Sequence, residues 1–162
     1  MNTDTSSEID PIDDTTITHN GVLIVDDNEQ NLELLNAYLD ELGGKIRSAH
    51  DGIEAIELIA KDQPDIILLD IMMPRMSGFQ VCEQLKNDPN THDIPVIMVT
   101  ALNEVGDVER AIDAGADDFL TKPVNKLELL TRVRSLLRVR QLKRQLDNAV
   151  TEIRTMRDQA GD

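Results

Sequence analysis

The chain has 162 residues, 40% of them hydrophobic, with 31 acidic side chains against 16 basic ones and a single cysteine. That length can bury one real core and still leave extensions; one cysteine excludes a disulfide scaffold, and no apolar stretch approaches a membrane span. A net charge of -15 repels a nucleic-acid backbone, so direct DNA or RNA binding is not expected.

Residues 1–20 are polar and carry five Asp/Glu and no Lys/Arg. They read as a flexible acidic tail, without the basic and apolar regions of a secretory leader, so a cytoplasmic protein is expected. Four apolar residues, Val22–Val25, then end abruptly in Asp26 and Asp27. An amphipathic segment follows over Glu29–Leu42, with Leu35, Leu39 and Leu42 at helical spacing. Next come a weaker strand, Lys45–Ala49, and a helix over Ile53–Ala60 that Asp51 introduces with capping-box spacing to Glu54. The run Ile66–Leu69 is solidly apolar and ends at Asp70. Gly78–Asn87 is helical in pattern and carries Cys82, read as buried packing. Pro95–Val99 predicts the fourth strand, ending at Thr100; Val105–Ala114 predicts a helix; Phe119–Leu120 predicts a fifth strand, ending near Lys122 and Pro123. A long final helix starts at Lys126, with Asn125 three before Glu128 as its cap. His19, His50 and His92 are scattered without metal-ligand spacing and read as surface residues.

Five strands alternating with five helices predict an α/β fold, a doubly wound (βα)5 sandwich on a five-stranded parallel sheet with an extended C-terminal helix. Both faces covered explains why the central strands are continuously apolar. Such sheets bind ligands beyond the carboxyl ends of their strands, where the strand order reverses. The residues falling there are Asp26, Asp27, Asp70, Thr100 and Lys122. Three carboxylates together call for a hard cation, and oxygen ligands suit Mg2+. A carboxylate can act as a nucleophile toward phosphorus, a metal and an ammonium neutralise phosphoryl oxygens, and a hydroxyl can donate to one of them. The rival chemistries fit worse, because neither a G-x-x-x-x-G-K-[ST] loop nor a G-x-G-x-x-G turn occurs.

The segments "VLIVDD" (22–27), "DIILLDIMMPRMSG" (65–78), "PVIMVTA" (95–101) and "AGADDFLTKP" (114–123) together resemble the response-regulator receiver domain of two-component signalling, the CheY-like superfamily. Asp70, Thr100 and Lys122 stand 30 and 22 residues apart, as that family's pattern expects. The resemblance covers about residues 21–138. It implies that Asp70 is the phosphoacceptor, taking its phosphoryl group from a histidine kinase or histidine phosphotransfer protein. Asp27, Asp70 and the Met72 backbone carbonyl would ligate Mg2+, with Asp26 acting through a water. Lys122 would pair with the carboxylate and then with the phosphoryl group. Thr100 and Phe119 would be the switch pair, and the Lys122–Pro123 bond is often cis in the family. Such a domain catalyses its own phosphoryl transfer and slow dephosphorylation without being a conventional enzyme. Met72 and Leu102 offer no acid or amide to position an attacking water, so a phosphoryl group not lost unusually fast is expected. The alternatives are a pseudo-receiver that only binds or dimerises, and a phosphorelay shuttle without output.

Residues 139–162 form a C-terminal helical extension. Val139, Leu142, Leu146, Ala149, Ile153 and Met156 are spaced 3, 4, 3, 4, 3. That is the a/d seam of a coiled coil, here expected to be parallel and two-stranded, with a single helix folded back on its own domain as the alternative. Arg138, Arg140, Lys143, Arg144, Asp147 and Glu152 fill the other faces and read as a solvated surface. Ala149 makes such a coil weak, so a homodimer favoured by phosphorylation is expected. The run "LLRVRQLKRQL" is similar to the exit helices that precede cyclic-dinucleotide output domains. No output domain lies within these residues, so a stand-alone regulator and a piece of a longer one both remain open.

Overall fold

Alternation within each short strand decides the architecture. In β1 (Val22–Val25) all four side chains are buried, yet they serve two different cores. Leu23 and Val25 face one cluster and Val22 and Ile24 the other, as a period of two requires. The computed structural model describes residues 21–102 and 104–161; the expected tail, residues 1–20, lies outside the described residues.

The elements run β1, α1 (Glu29–Leu39), β2 (Ile46–Ala49), α2 (Gly52–Lys61), β3 (Ile66–Leu69), α3 (Gly78–Asn87), β4 (Val96–Thr100), α4 (Val105–Asp113), β5 (Asp118–Thr121) and α5 (Lys126–Ala160). All pairings are parallel, in the order β2-β1-β3-β4-β5. The expected doubly wound sandwich is therefore the fold, and its strand order reverses between β1 and β3. One core joins Leu23, Val25, Ile67, Leu69, Val96 and Met98 to Ala55 and Ile59 of α2, Val81, Cys82 and Leu85 of α3 and Ala111 of α4. The other joins Val22, Ile24, Ile66, Leu68, Ile97 and Val99 to Leu32, Leu35 and Leu39 of α1 and Leu129, Leu130 and Val133 of α5. Each fully buried Leu or Ile contributes about 1.5–3 kcal/mol. Cys82 is fully buried as expected, and burial pushes its thiol up to about 11, which makes it inert at neutral pH.

Boundaries move by a residue or so where local chemistry intervenes. The segment expected as one helix to Leu42 ends at Leu39 and tightens into a 3-10 turn, Asp40–Leu42, which keeps Leu42 buried before Gly43 at φ 64°. β4 starts one residue after Pro95, which has no N–H to donate, and extends to Thr100, paired with Thr121. Asp51 caps α2 through Glu54 N at 2.8 Å, and Asn125 caps α5 through Glu128 N at 3.0 Å. Glu54 does not close the expected reciprocal bond; its carboxylate accepts from His50 N instead, at 3.0 Å. A full capping box stands at Ser77 and Gln80, readable in principle from the S-x-x-Q spacing.

α5 runs for 35 residues, about 50 Å at 1.5 Å per residue. Its first part packs on the sheet. Further on, at the edge where the strands begin, Arg140 is buried to 8% exposure, so the expectation of a purely solvated basic surface is corrected there. Arg140 Nε donates to Asp65 at 3.4 Å and its Nη1 to the Asp93 carbonyl at 2.9 Å. Arg144 pairs with Asp65 at 3.1 Å and Lys143 with Asp93 at 2.7 Å. Only folding brings these acidic loop residues under the helix. Val139 and Leu142 within this stretch, and Leu146, Ile153 and Met156 beyond it, are exposed. No described helix is long and apolar enough to cross a membrane.

Candidate functional site

The parallel ladder assembles the acidic cluster. Val25 and Leu69 are register partners, so the next residues, Asp26 and Asp70, emerge side by side. The ladder continues past the strand ends, with Asp70 N donating to the Val25 carbonyl at 2.9 Å and Asp26 N to the Ala49 carbonyl at 3.1 Å. Carboxylate oxygens of Asp26, Asp27 and Asp70 all lie within 4.8 Å of one another. Asp26 and Asp70 are buried, while Asp27 is exposed and has no hydrogen-bond or ion-pair partner among the described residues.

From the other side of the switch point, β4 and β5 bring Thr100 and Lys122. Lys122 N donates to the Thr100 carbonyl at 2.8 Å, and the Lys122–Pro123 peptide is cis. The ammonium then reaches both buried carboxylates, Asp26 Oδ2 at 2.7 Å and Asp70 Oδ2 at 3.2 Å. Sequence reasoning paired Lys122 with Asp70 and gave Asp26 a role through water; in the structure Asp26 is the nearer partner. No sequence signal distinguishes the two, because they come from strands that are neighbours only in the sheet. Asp26 Oδ1 is occupied by Asn28 N at 2.9 Å and Asp70 Oδ1 by Met72 N at 3.2 Å. Thr100 is fully buried, and its hydroxyl oxygen accepts from Leu102 N at 3.4 Å. Phe119 is half-buried and packs against the core on the α2–α3–α4 side.

Burial raises the Asp70 carboxyl above the ordinary range; the Lys122 charge opposes this, and the neighbouring Asp26 adds to it. For Lys122, burial alone would lower the ammonium. The hydrogen bond it donates to Asp26 and the charge of Asp70 outweigh that and hold it above its usual value. One ammonium thus faces a cluster of three carboxylates, a site short of positive charge. A hard cation with oxygen ligands fits that deficit, and the unpartnered Asp27 oxygens leave it a place to bind.

The loop after Asp70 is closed tightly. Gly78 N donates to the Ile71 carbonyl at 2.9 Å. A Cβ on Gly78 would stand 2.2 Å from the Asp70 carbonyl oxygen and 2.8 Å from Ile71 Cα, so only glycine lets α3 begin this close to the end of β3. The histidines lie outside the cluster. His50 is exposed and bridges Glu54 at 3.2 Å and Glu29 at 3.0 Å, and those two carboxylates hold its imidazole above the usual range. His92 is exposed beside Asp93, and His19 lies outside the described residues.

Comparison with known proteins bears on the same residues. The family model described as the response regulator receiver domain matches residues 22–134. The chain is 50% identical over 117 residues to the response regulator PleD of Caulobacter vibrioides, covering 72% of this chain and 26% of that protein. It is 45% identical over 117 residues to the DNA-binding dual master transcriptional regulator RpaA of Synechocystis, covering 72% of this chain and 48% of that one. Among solved structures, the signal receiver domain of a signal transduction histidine kinase from Syntrophus aciditrophicus superposes with a TM-score of 0.69 at 38% identity, over 74% of this chain and 90% of that one. The chain spans between about a quarter and a half of the length of these curated relatives.

Proposed function

This chain belongs to the response regulator receiver domain family, and on that premise we propose that it is a phosphorylation-dependent response regulator whose acceptor is Asp70. Membership implies a histidine kinase or histidine phosphotransfer protein as donor. The observation that carries the reading is Lys122 gripping both Asp26 and Asp70 inside a three-carboxylate cluster at the sheet's switch point. A scaffold has no need to bury mutually repelling acids there.

In the proposed transfer, a carboxylate oxygen of Asp70 forms a bond to phosphorus while the P–N bond to the donor imidazole breaks. The bonding pair leaves with the imidazole nitrogen. Lys122 turns from the carboxylates toward the phosphoryl oxygens, and the Thr100 hydroxyl donates to one of them. Asp26, Asp27, Asp70 and the Met72 backbone carbonyl would hold Mg2+. When bound, that ion supplies positive charge for the phosphoryl oxygens and orients the donor. Phosphorylation adds charge and acceptor oxygens at the strand edge. Thr100 and Phe119 then shift the population of the α4–β5–α5 face toward a partner-binding or dimerising form. Phe119 has no hydroxyl, so its part in the switch rests on packing alone.

A second copy is the proposed occupant of the α5 seam. Val139, Leu142, Leu146, Ile153 and Met156 are exposed apolar residues at a/d spacing. Arg140 and Arg144, which root the helix on its own domain, project from roughly the opposite side at about 100° per residue. A parallel partner can therefore seat without breaking that root. Glu152 of one helix would face Arg157 of the other, whereas Ala149 at a core position keeps the coil weak. The exit helix would pass dimer geometry to an output domain or protein, of the cyclic-dinucleotide class that its sequence resembles.

Intact-mass spectrometry after incubation with acetyl phosphate and Mg2+ tests the reading. One added phosphoryl group is expected, absent in Asp70→Asn and without the metal. No adduct from small donors or from a panel of histidine kinases, together with no Mg2+ binding, would leave only a binding or dimerisation module.

A further inference from the structure

Among the described residues, Arg75 is the one non-glycine with positive φ, 66°. Around it, Met76 N donates to the Pro74 carbonyl at 2.7 Å. Three residues thus close a γ-turn of the hand that L side chains adopt only under strain. The turn sits in the loop between β3 and α3, a few residues after Asp70, and the same loop supplies the Met72 N–H that Asp70 accepts at 3.2 Å. A glycine would occupy such a position without strain.

Two contacts clamp the turn to the start of α2. The Arg75 guanidinium reaches Asp51 Oδ2 at 2.8 Å, while Asp51 Oδ1 caps α2 through Glu54 N at 2.8 Å. On the inner side, the Met76 side chain lies against Gly52; a Cβ built there would meet Met76 Cβ at 3.1 Å. Asp51 is held at 17% side-chain exposure, whereas Arg75 is 68% exposed. The fixed partner is therefore the helix cap, and the loop is what it holds.

We propose that Arg75 is a positioning residue: its pair with Asp51 latches the strained loop against α2 and so keeps the Met72 backbone, with the N–H on Asp70, in place for metal and phosphoryl group. This rests on the receiver reading for its purpose, not for its geometry. Asp51→Asn keeps a competent helix cap but removes the charge. Arg75→Ala removes the pair and keeps the strain, Arg75→Lys keeps the charge, and Arg75→Gly removes pair and strain together.

The test is hydrogen exchange of the loop amides in metal-free protein, read beside Mg2+ affinity by calorimetry. Arg75→Ala and Asp51→Asn are each expected to speed exchange at Met72 and Met76 by about two- to fivefold, the range an exposed ion pair supports, and to weaken Mg2+ binding in proportion. The double variant should be no worse than either single one. Arg75→Lys should recover part of the loss, Arg75→Gly should exchange more slowly than Arg75→Ala, and amides of β3 should be unchanged in all. Wild-type exchange and Mg2+ affinity in Arg75→Ala, or additive losses in the double variant, would overturn the latch. Absence of Mg2+ binding by the wild-type protein would instead strike the receiver reading, and the exchange arm would still decide the latch.

Discussion

Arg140→Met tests how the long helix is rooted. The Asp65 carboxylate is 4% exposed and has three partners among the described residues: Gly21 N at 3.2 Å, Arg140 Nε at 3.4 Å and Arg144 Nη1 at 3.1 Å. Arg140 also serves the Asp93 carbonyl. Burial, and then the like charge of Arg144, lower the Arg140 guanidinium from its ordinary value, so the site tolerates this charge only because it is paired. Methionine keeps most of the apolar stem but strips a donor from Asp65 and from the Asp93 carbonyl. Removing one member of a fully buried pair costs about 3–5 kcal/mol. Arg144 and the Gly21 N–H remain, which brings the expected loss to about 2–3 kcal/mol. For a chain of this size that lowers Tm by about 5–10 °C. Circular-dichroism melts give Tm, and hydrogen exchange should show the amides near residue 140 opening first. Asp65→Asn should destabilise similarly, and the double variant should recover part of the loss because no unpaired charge stays buried. Lys143→Ala, which removes an exposed pair, should cost less than about 1 kcal/mol. A Tm unchanged in Arg140→Met, or strictly additive losses in the double variant, would refute the reasoning.

Four further outcomes are expected. Gly78→Ala forces a Cβ against the Asp70 carbonyl oxygen; a loss of about 1–3 kcal/mol in urea unfolding should accompany impaired phosphorylation, and wild-type behaviour would mean α3 can move freely. Lys122→Met leaves the carboxylates without their ammonium, so phosphoryl uptake from acetyl phosphate should slow by about 100-fold or more; a near-normal rate would remove Lys122 from the mechanism. His50 has its pKa raised by Glu54 and Glu29; its contribution is therefore fully present below about pH 6.5, the unfolded value, and is lost as pH rises through the higher folded value. Unfolding free energies across that window should fall by less than about 1 kcal/mol in the wild type relative to a flat His50→Gln, and identical profiles would dismiss the bridge. Leu146→Glu places a charge in the proposed seam, so analytical ultracentrifugation should find the phosphorylated protein monomeric with Asp70 phosphorylation intact; a persisting dimer would locate the interface elsewhere.

The helices were legible because each carries apolar spacing near 3.6, and β1, β3 and β4 because each is a short apolar run ending in a polar residue; β2, with Arg47 and Ser48, and β5, with only Phe119 and Leu120, gave weaker signals. The site was legible for the same reason: Asp26, Asp27, Asp70, Thr100 and Lys122 each stand at or just beyond a strand's end, and a parallel sheet sends all those ends to one edge. Local pattern could not say which carboxylate Lys122 holds more closely, since Asp26 and Asp70 meet only through the Val25–Leu69 register. Nor could it bury Arg140. The arginine lies on a polar helical face by sequence, and Asp65 and Asp93, distant in sequence, are placed beneath it by the packing of α5 on the sheet. Arg75 followed the same logic, because its backbone φ and its bond to Asp51 depend on how the loop after β3 lands on α2. Periodicity is a property of neighbours along the chain, whereas the partner of a charge is set by whatever the folded core brings within about 4 Å of it.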